Sequence, residues 1–407
     1  MTEALLNQGG YGCVYLGAKP SNKLSPNKNS DYVSKVQINR GNIKQEQEIG
    51  KLVKSITNYG SFFAPIIETS SVQTQDINLS LTDKNGERCK IVEKAKEKQE
   101  PLVMMKIPYI PEGDFKKHIL TNSTGELISC YRHLLLGVEH LINKNIVHYD
   151  LKTDNILFHN RLNNPIIIDF GLSLDVKKNL TKYDNNSLKQ VFYTHEPKYS
   201  LWPLDVHFLC FIANNQENTP ITKEVVNNIC SDYVKNAFQN DTPQEQEDYK
   251  TKAITYYSKL ITEHGIKKQN IAETLCGNWK TWDLYGLHYM FYKLSNHLDK
   301  QGNHLDKQGN PLDKQGNPLD KQGNPLDKQG NPLDKQGNHM DKQGNPLDKQ
   351  SNPLDKQGNH LDKQGNPDIF LSHIHKIFKQ QLDPDPTQRK STSELMDKIS
   401  EIYYLSN

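Results

Sequence analysis

The stretch "IVHYDLKTDNILF", residues 146–158, places three polar side chains between two apolar runs. Asp150, Lys152 and Asn155 follow "IVH" and precede "ILF". Farther along the chain, "PIIIDFGLSL" is a second apolar run that ends at Asp169. Both runs have the length and the β-branched content of short buried strands. They predict a hairpin with Asp150 before its first strand and Asp169 after its second.

Such a hairpin brings Asp150, Asn155 and Asp169 to one end of the strand pair. Three polar groups beside buried strands are costly unless a cation or a substrate satisfies them. Carboxylate and amide oxygens suit Mg²⁺, which prefers hard oxygen ligands. The alternative is a pair of polar surface loops that merely adjoin, and the order of the neighbouring motifs favours the site.

Composition and charge exclude several classes of protein. The 407 residues suffice for two lobes with proper cores, and the net charge of +2 indicates no basic surface for nucleic acid. The N-terminus does not resemble a signal peptide, and no apolar run approaches the ~20 residues of a membrane span. We therefore expect a cytoplasmic protein with neither a membrane nor a nucleic acid as partner.

The cysteines are scattered along the chain without a CxxC pair, which predicts free thiols rather than disulfides or a zinc site. The six positions are Cys13, Cys89, Cys130, Cys210, Cys230 and Cys276.

Residues 297–366 repeat the unit "HLDKQGN" or "PLDKQGN" ten times. A period of seven suggests a coiled coil, but each unit carries a single leucine or methionine, nearly every unit has a glycine, and most have a proline. The unit is hydrophilic and charge-neutral, so it predicts a solvated, largely disordered insertion that could dock a partner. A stacked solenoid is the alternative, because fixed periods can stack.

The remaining chain changes character near residue 110. Before it, "CVYLG", "YVSKVQI" and "PLVMMKI" have strand-like patterns, and "IKQEQEIGKLVKSI" has a helical one. After residue 120 the pattern is mostly helical, with capping boxes that begin at Ser123 and Thr242. This order predicts an α+β protein in which a small β-rich lobe precedes a larger helical lobe, with a ligand cleft between them.

Two features of the first lobe suit a phosphate. "NQGGYGCV" places Gly9, Gly10 and Gly12 at a hairpin tip whose backbone can approach an anion, although a tight turn needs the same glycines. Lys35 lies within a strand, where a lysine either reaches solvent or binds an anion. The following helix offers Glu46 or Glu48 as its partner.

Glycine-rich hairpin, strand lysine, helix glutamate, "HYDLKTDN" and "DFG" occur in an order and spacing that resemble eukaryotic-type serine/threonine protein kinases, in particular kinases of large DNA viruses. The resemblance spans residues 5 to about 400. It implies a bilobal protein-kinase-like fold, with an N-lobe at 1–108 and a C-lobe at 109–407. The C-lobe would carry a helical insertion at about 203–280, besides the repeat.

The resemblance also implies an ATP-dependent enzyme with a protein substrate and Mg²⁺ or Mn²⁺ as metal. Asp150 would orient the acceptor hydroxyl, Lys152 would steady the γ-phosphate, and Asn155 and Asp169 would hold the metal. The residues expected to bind the nucleotide are Gly9, Gly10, Gly12, Val14, Val33, Lys35, Glu48, Ile107, Tyr109, Asp114 and Leu157. If the protein is viral, the host-cell cytoplasm or the virion is its expected location.

Glu48 is preferred over Glu46 as the partner of Lys35, because Leu52 can pack behind it four residues later on the same helix face. The open question is which of the two glutamates faces the strand.

Other positions match or depart from the family pattern in the second lobe. Asp283 of "WDLYGL" resembles the buried aspartate of the central helix, and Arg389 of "LDPDPTQRKS" is expected to pair with Glu196 of "THEP". Tyr149 replaces the arginine that clasps an activation-loop phosphate. Lys189 stands where serine/threonine kinases carry a threonine.

Three hypotheses of function follow. The first is an active serine/threonine protein kinase, which the complete polar set favours: Lys35, Glu48, Asp150, Asn155 and Asp169. The second is a pseudokinase scaffold that docks partners through its insertions, since fold alone does not establish activity. The third is a small-molecule kinase of similar fold, which the protein-kinase pattern around "DPTQRKS" disfavours.

Overall fold

The structure is a computed structural model, and the parts of the chain that it describes are residues 5–8, 12–17, 30–39, 42–77, 82–83, 85–111, 113–194, 196–215, 220–264, 268–302, 339–340, 346–347 and 369–406.

The strands are β1 (Leu5–Gln8), β2 (Gly12–Leu16), β3 (Tyr32–Ile38), β4 (Phe63–Ala64), β5 (Glu68–Val72), β6 (Leu102–Pro108), β7 (Ile146–Val147), β8 (Ile156–His159), β9 (Asn164–Ile168), β10 (Leu174–Asp175), β11 (His339–Met340) and β12 (Pro346–Leu347). The α-helices are α1 (Asn42–Lys54), α2 (Lys90–Lys98), α3 (Phe115–Thr121), α4 (Thr124–Asn143), α5 (Val176–Asn179), α6 (Asn185–Val191), α7 (Leu204–Asn214), α8 (Lys223–Ala237), α9 (Pro243–His264), α10 (Lys268–Gly277), α11 (Trp282–Gly302), α12 (Ile369–Gln380) and α13 (Thr392–Ser406).

The first part of the chain forms an antiparallel sheet with the strand order β1-β2-β3-β6-β5. The alternation of β3 sends Val36 and Ile38 into an apolar cluster, to which α2 contributes Val92 and Ala95. The register sets Lys35 opposite Val14 on one side and Met105 on the other. The predicted strands are confirmed, and the central position of β3 fixes where its lysine can point.

Helix α1 has a buried face that recurs every three or four residues. Ile43 and Val53 are buried on that face, and Glu46 shares it. Gly50 follows on the same face, where an added Cβ would lie 3.1 Å from the carbonyl oxygen of Ile66. The helix therefore approaches the chain before β5 closely, and a larger side chain at Gly50 would push it away.

The second part of the chain contains the predicted hairpin. Strands β8 and β9 pair antiparallel, with Ile156 opposite Ile167, and β9 also pairs parallel with β4 through Phe63 and Ile167. Both hairpin strands carry buried apolar residues, as the two apolar runs predict. With the small sheet first and the helices after it, the predicted α+β architecture is confirmed.

Helices α7 to α10 occupy the segment expected to hold a helical insertion. The capping box of α9 is confirmed, because the backbone N–H of Glu245 donates to Thr242 Oγ1 (3.3 Å) and Glu245 Oε2 accepts from the backbone N–H of Thr242 (3.0 Å). Helix α8 carries the buried Tyr233, whose hydroxyl lies 2.6 Å from that of Tyr285 in α11. Helix α8 is thus joined to α11 by a buried polar contact.

The chain divides into two compact units: one comprises 1–118, 130–287 and 383–392, and the other comprises 119–129, 288–382 and 393–407. In the second unit, α11 and α12 contact each other through Phe291 and Phe378, whose ring centroids lie 5.6 Å apart. Ser295 Oγ lies 2.9 Å from Nδ1 of His375.

Two expectations about the chain need correction. Cys13 and Cys89 form a disulfide, which links β2 to the residue before α2, so the prediction of free thiols is wrong for this pair. The other four cysteines are buried and are not part of a disulfide. Helix α11 continues to Gly302, so the first repeat unit is mostly helical rather than disordered, because the unit extends an existing helix.

Most of the rest of the repeat lies outside the described residues, apart from the short antiparallel pair β11–β12. Among the described helices, none has the length and apolar character needed to span a bilayer.

Candidate active site

The loop after β7 is fixed to the helical part by a buried carboxylate. Asp283, at the start of α11, accepts hydrogen bonds from the backbone N–H groups of His148 (2.6 Å) and Tyr149 (2.9 Å). His148 is fully buried, and its Nε2 lies 3.0 Å from the carbonyl oxygen of Ile168 at the end of β9. The predicted role of Asp283 as the buried aspartate of the central helix is confirmed, and it positions the next residue, Asp150.

The carboxylate of Asp150 is surrounded by donors. Its Oδ2 accepts from Nζ of Lys152 (2.8 Å) and Nδ2 of Asn155 (2.8 Å), and its Oδ1 accepts from the hydroxyl of Tyr199 (2.5 Å). The amide of Asn155 also contacts the Asp150 carbonyl at 2.8 Å. The structure therefore brings together Asp150, Lys152 and Asn155, and adds Tyr199, which nothing in the sequence pattern indicates.

Lys35 lies between two carboxylates. Its Nζ is 2.8 Å from Oδ1 of Asp169 and 3.8 Å from Oε1 of Glu46. The side chains of Lys35 and Glu46 are 12% and 3% exposed, so this part of the cluster is well shielded from water. The strand lysine thus faces anionic groups rather than solvent.

Glu46 takes the place expected for Glu48, and the preference for Glu48 is wrong. The Glu48 carboxylate lies on the outer face of α1, where its Oε2 is 2.8 Å from Nζ of Lys178. The physical reason is the helical period: Glu46 lies on the face that buries Ile43 and Val53, and Glu48 does not. The helical period of α1 could therefore have identified Glu46 from the sequence, and the expected contact of Glu48 with Leu52 was weaker evidence.

The pKa values of the cluster follow from burial and charge. Burial lowers the pKa of Lys35, but the charges of Glu46 and Asp169 outweigh burial and hold it above its usual range. Burial raises the pKa of Asp169, yet Lys35 and the N–H of Gly171 bring it below its usual range. Glu46 keeps a raised pKa because burial and the charge of Asp169 outweigh its more distant contact with Lys35. Lys35 and Asp169 are therefore a charged pair at neutral pH.

The two residues expected to bind a metal flank the same end of the hairpin. Because Ile156 pairs with Ile167, Asn155 immediately precedes this pair and Asp169 follows it by two residues. In the described part of the chain, Oδ1 of Asn155 and Oδ2 of Asp169 accept no hydrogen bond. One amide oxygen and one carboxylate oxygen are a donor set that fits Mg²⁺ or Mn²⁺.

Asp169 also has an unusual backbone, with φ of 59°, in a region that residues with a Cβ seldom occupy. Tyr149 shares this feature, with φ of 69°. Such conformations concentrate at functional sites, where the surrounding structure imposes them. Here the hydrogen bond to Asp283 holds the backbone of Tyr149, and the contact with Lys35 holds Asp169.

The residues expected to bind a nucleotide lie on the sheet and on the connection that follows β6. Gly12 lies in β2, where an added Cβ would stand 2.6 Å from the carbonyl oxygen of Val36, so the two strands approach closely there. Val14 pairs with Lys35, and Val33 pairs with Ile107. Gly9 and Gly10 lie outside the described residues.

The connection after β6 is held against β8. Asp114 forms a β-bridge with Leu157, and the backbone N–H of Phe158 donates to the carbonyl of Gly113 at 2.9 Å. An added Cβ at Gly113 would collide with the Phe158 carbonyl, so only glycine fits. The backbone N–H of Tyr109 donates to the Asp31 carbonyl at 2.9 Å.

The Asp114 carboxylate already has a structural contact. Its Oδ1 accepts from the backbone N–H of Lys117 (2.9 Å) and caps α3. A carboxylate oxygen can accept two hydrogen bonds, so this cap does not exclude a contact with a ribose.

The expected pair of Glu196 and Arg389 is absent, and that prediction is wrong. Glu196 is exposed. Arg389 Nε instead donates to the carbonyl of Asp383 (2.9 Å), and its Nη1 donates to Thr281 Oγ1 (3.1 Å). Its guanidinium also lies 4.9 Å from the ring centroid of Tyr285. The physical reason is burial: Arg389 points toward the interior, where α7 carries an acid that is more deeply buried than Glu196.

That acid is Asp205, which is fully buried. Burial raises its pKa to about 6, while the positive charge of Arg389 and a hydrogen bond from Asn278 Nδ2 (3.1 Å) act in the opposite direction. The electrostatic partner of Arg389 is therefore Asp205 in α7, not Glu196 of "THEP".

Comparisons with known proteins agree with this geometry. The protein kinase domain family matches residues 2–196, which hold the sheet, Lys35, the Asp150 loop and Asp169. The comparisons support a eukaryotic-type protein kinase. The fold is that of a kinase domain with a small β-sheet region followed by a helical region.

Three relatives illustrate the likeness. A hormonally up-regulated neu tumor-associated kinase homolog of Xenopus tropicalis is 24% identical over 182 residues, which is 41% of this chain and 25% of the relative. A probable cell division control protein 7 homolog 2 of Encephalitozoon cuniculi is 30% identical over 76 residues, which is 19% of this chain and 22% of the relative. The cell cycle serine/threonine-protein kinase hsk1 of Schizosaccharomyces pombe is 29% identical over 76 residues, or 19% of this chain and 15% of the relative. The matches thus span a quarter or less of each relative.

Proposed function

We propose that this protein is an active serine/threonine protein kinase that transfers the γ-phosphate of ATP to hydroxyl groups of proteins. The observation that carries the proposal is the position of Lys35 between Glu46 and Asp169. A buried lysine on the central strand of a sheet, held by two carboxylates, is a preorganised partner for phosphate oxygens. The match to the protein kinase domain supports the same conclusion.

Phosphoryl transfer requires positioning and charge stabilisation more than covalent chemistry. In this proposal Lys35 binds the α- and β-phosphates, and Lys152 steadies the γ-phosphate. Asp150, fixed by three donors, orients the acceptor hydroxyl and takes up its proton. Val14, Val33 and Leu157 would enclose the adenine.

Asn155 and Asp169 would hold Mg²⁺ or Mn²⁺, since both offer an oxygen that is free of hydrogen bonds in the described part of the chain. When bound, the ion neutralises charge on the phosphate oxygens.

The choice of serine and threonine as acceptors rests on "DLKTDN", in which Lys152 follows Asp150 by two residues. The Schizosaccharomyces pombe relative, named as a serine/threonine-protein kinase, supports this choice. Lys189 lies in α6, so the threonine usual in such kinases has no counterpart there. A likeness to kinases of large DNA viruses stays a prediction.

A pseudokinase scaffold is the alternative function. The polar set argues against it, because Lys35, Asp150, Asn155 and Asp169 are all present and Glu46 fills the glutamate position.

The test is transfer of radiolabelled phosphate from ATP to casein. Asp150→Asn should lower the rate by ~10²–10⁴, because it removes the proton acceptor. Asp154→Asn is the matched control: this exposed carboxylate lies in the same loop and should stay within about threefold of the wild type. A wild-type protein without transfer, or an Asp150→Asn variant as fast as the wild type, would refute the proposed function.

A further inference from the structure

The Asp150 carboxylate has a third donor that the family resemblance does not assign. The hydroxyl of Tyr199 lies 2.5 Å from Oδ1, while Lys152 and Asn155 both donate to Oδ2. A carboxylate has roughly four acceptor positions, two on each oxygen. Three donors therefore leave one position on Oδ1 for an incoming hydroxyl.

We propose that Tyr199 is a positioning residue that orients Asp150 and fixes the direction from which the acceptor hydroxyl approaches. This inference rests on the proposed function. Without the Tyr199 hydroxyl, both positions on Oδ1 would be open, and the carboxylate could rotate about its bond to Cβ toward its two remaining donors.

The side chain of Tyr199 is held in place. Its ring packs edge-on against Trp202, with centroids 4.9 Å apart. Its carbonyl oxygen accepts from the backbone N–H of Trp202 (3.3 Å) and lies 3.2 Å from Nε2 of His207. The indole N–H of Trp202 in turn donates to the carbonyl of Tyr149 at 2.7 Å, directly beside Asp150. Tyr199 and the Asp150 loop are thus fastened to each other at two points.

Helix α8 supports the same segment from the other side. The Tyr233 hydroxyl lies 3.2 Å from the carbonyl oxygen of Ser200 and 3.1 Å from that of Trp202. These contacts are buried or partly buried, so they tie residues 199–202 to the insertion helices. A loop held in this way can keep a hydroxyl at a set position, which a free surface loop cannot do.

Burial and the charge of Asp150 raise the pKa of Tyr199 above its usual range. The phenol therefore stays protonated and remains a donor over the pH range in which the enzyme would work.

The first experiment compares Tyr199→Phe with the wild type in steady-state transfer from ATP to casein. The change keeps the ring against Trp202 and removes only the hydroxyl. We expect kcat to fall about tenfold or more, because a misdirected catalytic group is costly, while KM for ATP and for casein stays within about twofold. Tyr193→Phe is the matched control, since Tyr193 lies in the same segment and is 59% exposed; it should behave as the wild type.

A second variant separates the effect of the hydrogen-bond donor from the effect of the side chain's shape. Tyr199→4-aminophenylalanine keeps an N–H donor at the same place and should recover most of the lost kcat, which a purely structural role would not predict. The inference is overturned if Tyr199→Phe keeps the wild-type kcat, or if it lowers KM for casein and raises kcat/KM, because Tyr199 would then occupy the acceptor's place as a gate. It is also overturned if 4-aminophenylalanine is no better than Phe. A wild type without transfer would overturn the proposed function and this inference together, whereas the other outcomes leave the proposed function standing.

Discussion

Oε2 of Glu48 lies 2.8 Å from Nζ of Lys178, which ties the outer face of α1 to α5. Also from α1, Nε2 of Gln45 donates to the carbonyl of Ser173 at 2.8 Å. The helix is therefore fastened to the chain after Asp169 from outside, while Glu46 points inward to Lys35. The hydrogen bond with Glu48 and its negative charge raise the pKa of Lys178, and the hydrogen bond with Lys178 and its positive charge lower the pKa of Glu48, but both side chains are exposed to solvent.

The two glutamates of α1 should differ sharply in their effect on activity. Glu46→Gln should lower kcat/KM for ATP by about tenfold or more, because it removes the buried carboxylate beside Lys35. Glu48→Gln is the matched control and should stay within about threefold, because an exposed ion pair contributes little. ATP kinetics with each variant decide the matter, and equal losses would mean that both carboxylates act on Lys35.

Removal of Arg389 should destabilise the first compact unit. Arg389→Ala leaves Asp205 buried without its counter-charge and deletes hydrogen bonds to Asp383 and Thr281, at a cost of about 2–4 kcal/mol. Glu196→Gln should change the unfolding free energy by no more than about 0.5 kcal/mol, because Glu196 is exposed. Urea unfolding of both variants tests this contrast. A larger loss of unfolding free energy for Glu196→Gln would instead support the predicted pair of Glu196 and Arg389.

Asp205 should make stability depend on pH below neutrality. Its folded pKa of about 6 lies above the ordinary value of 3.8, so the folded state binds the proton more tightly. The associated stability is complete below pH 4 and is lost as pH rises through 6, by about 3 kcal/mol. Asp205→Asn lacks this titration.

The difference in unfolding free energy between the wild type and Asp205→Asn should therefore fall between pH 4 and 6 and stay constant above 7. A flat difference across that range would show that Arg389 holds the pKa of Asp205 near its ordinary value.

The disulfide between Cys13 and Cys89 should be visible in stability under reducing conditions. It closes a separation of 76 residues, and the loss of chain entropy in the unfolded state corresponds to about 4 kcal/mol. A reductant should lower the Tm of the wild type and leave that of Cys13→Ala unchanged. Cys130→Ala, a change at a cysteine outside the disulfide, should keep the response. A wild type indifferent to reductant, with six titratable thiols after unfolding, would contradict the crosslink.

Local patterns predicted the elements of this fold well. Alternation in "YVSKVQI" and the two apolar runs around the Asp150 loop indicated strands, and the capping box at Thr242 marked the start of α9. These features depend on neighbours within a few residues, so the sequence carries them directly.

Contacts between distant segments were harder to predict from the sequence. Arg389 lies 184 positions after Asp205, and no local pattern indicates that its charge acts on a buried acid in α7. The pairing of Cys13 with Cys89 cannot be deduced from spacing alone. Glu46 is different, because the period of buried residues along α1 was enough to predict that Glu46 faces inward.

Lys35 is 1.0 Å nearer to Asp169 than to Glu46, by the difference between 3.8 and 2.8 Å. The lysine of the proposed nucleotide site and a carboxylate of the proposed metal site thus neutralise each other in the protein alone. A phosphate that takes Lys35 leaves Asp169 without a counter-charge, and a metal ion that takes Asp169 leaves Lys35 without its nearer partner. Each ligand therefore lowers the free-energy cost of admitting the other, and by thermodynamic reciprocity the two affinities rise by the same factor. Calorimetric titration of ATP with and without Mg²⁺ measures this coupling, which Asp169→Asn should weaken.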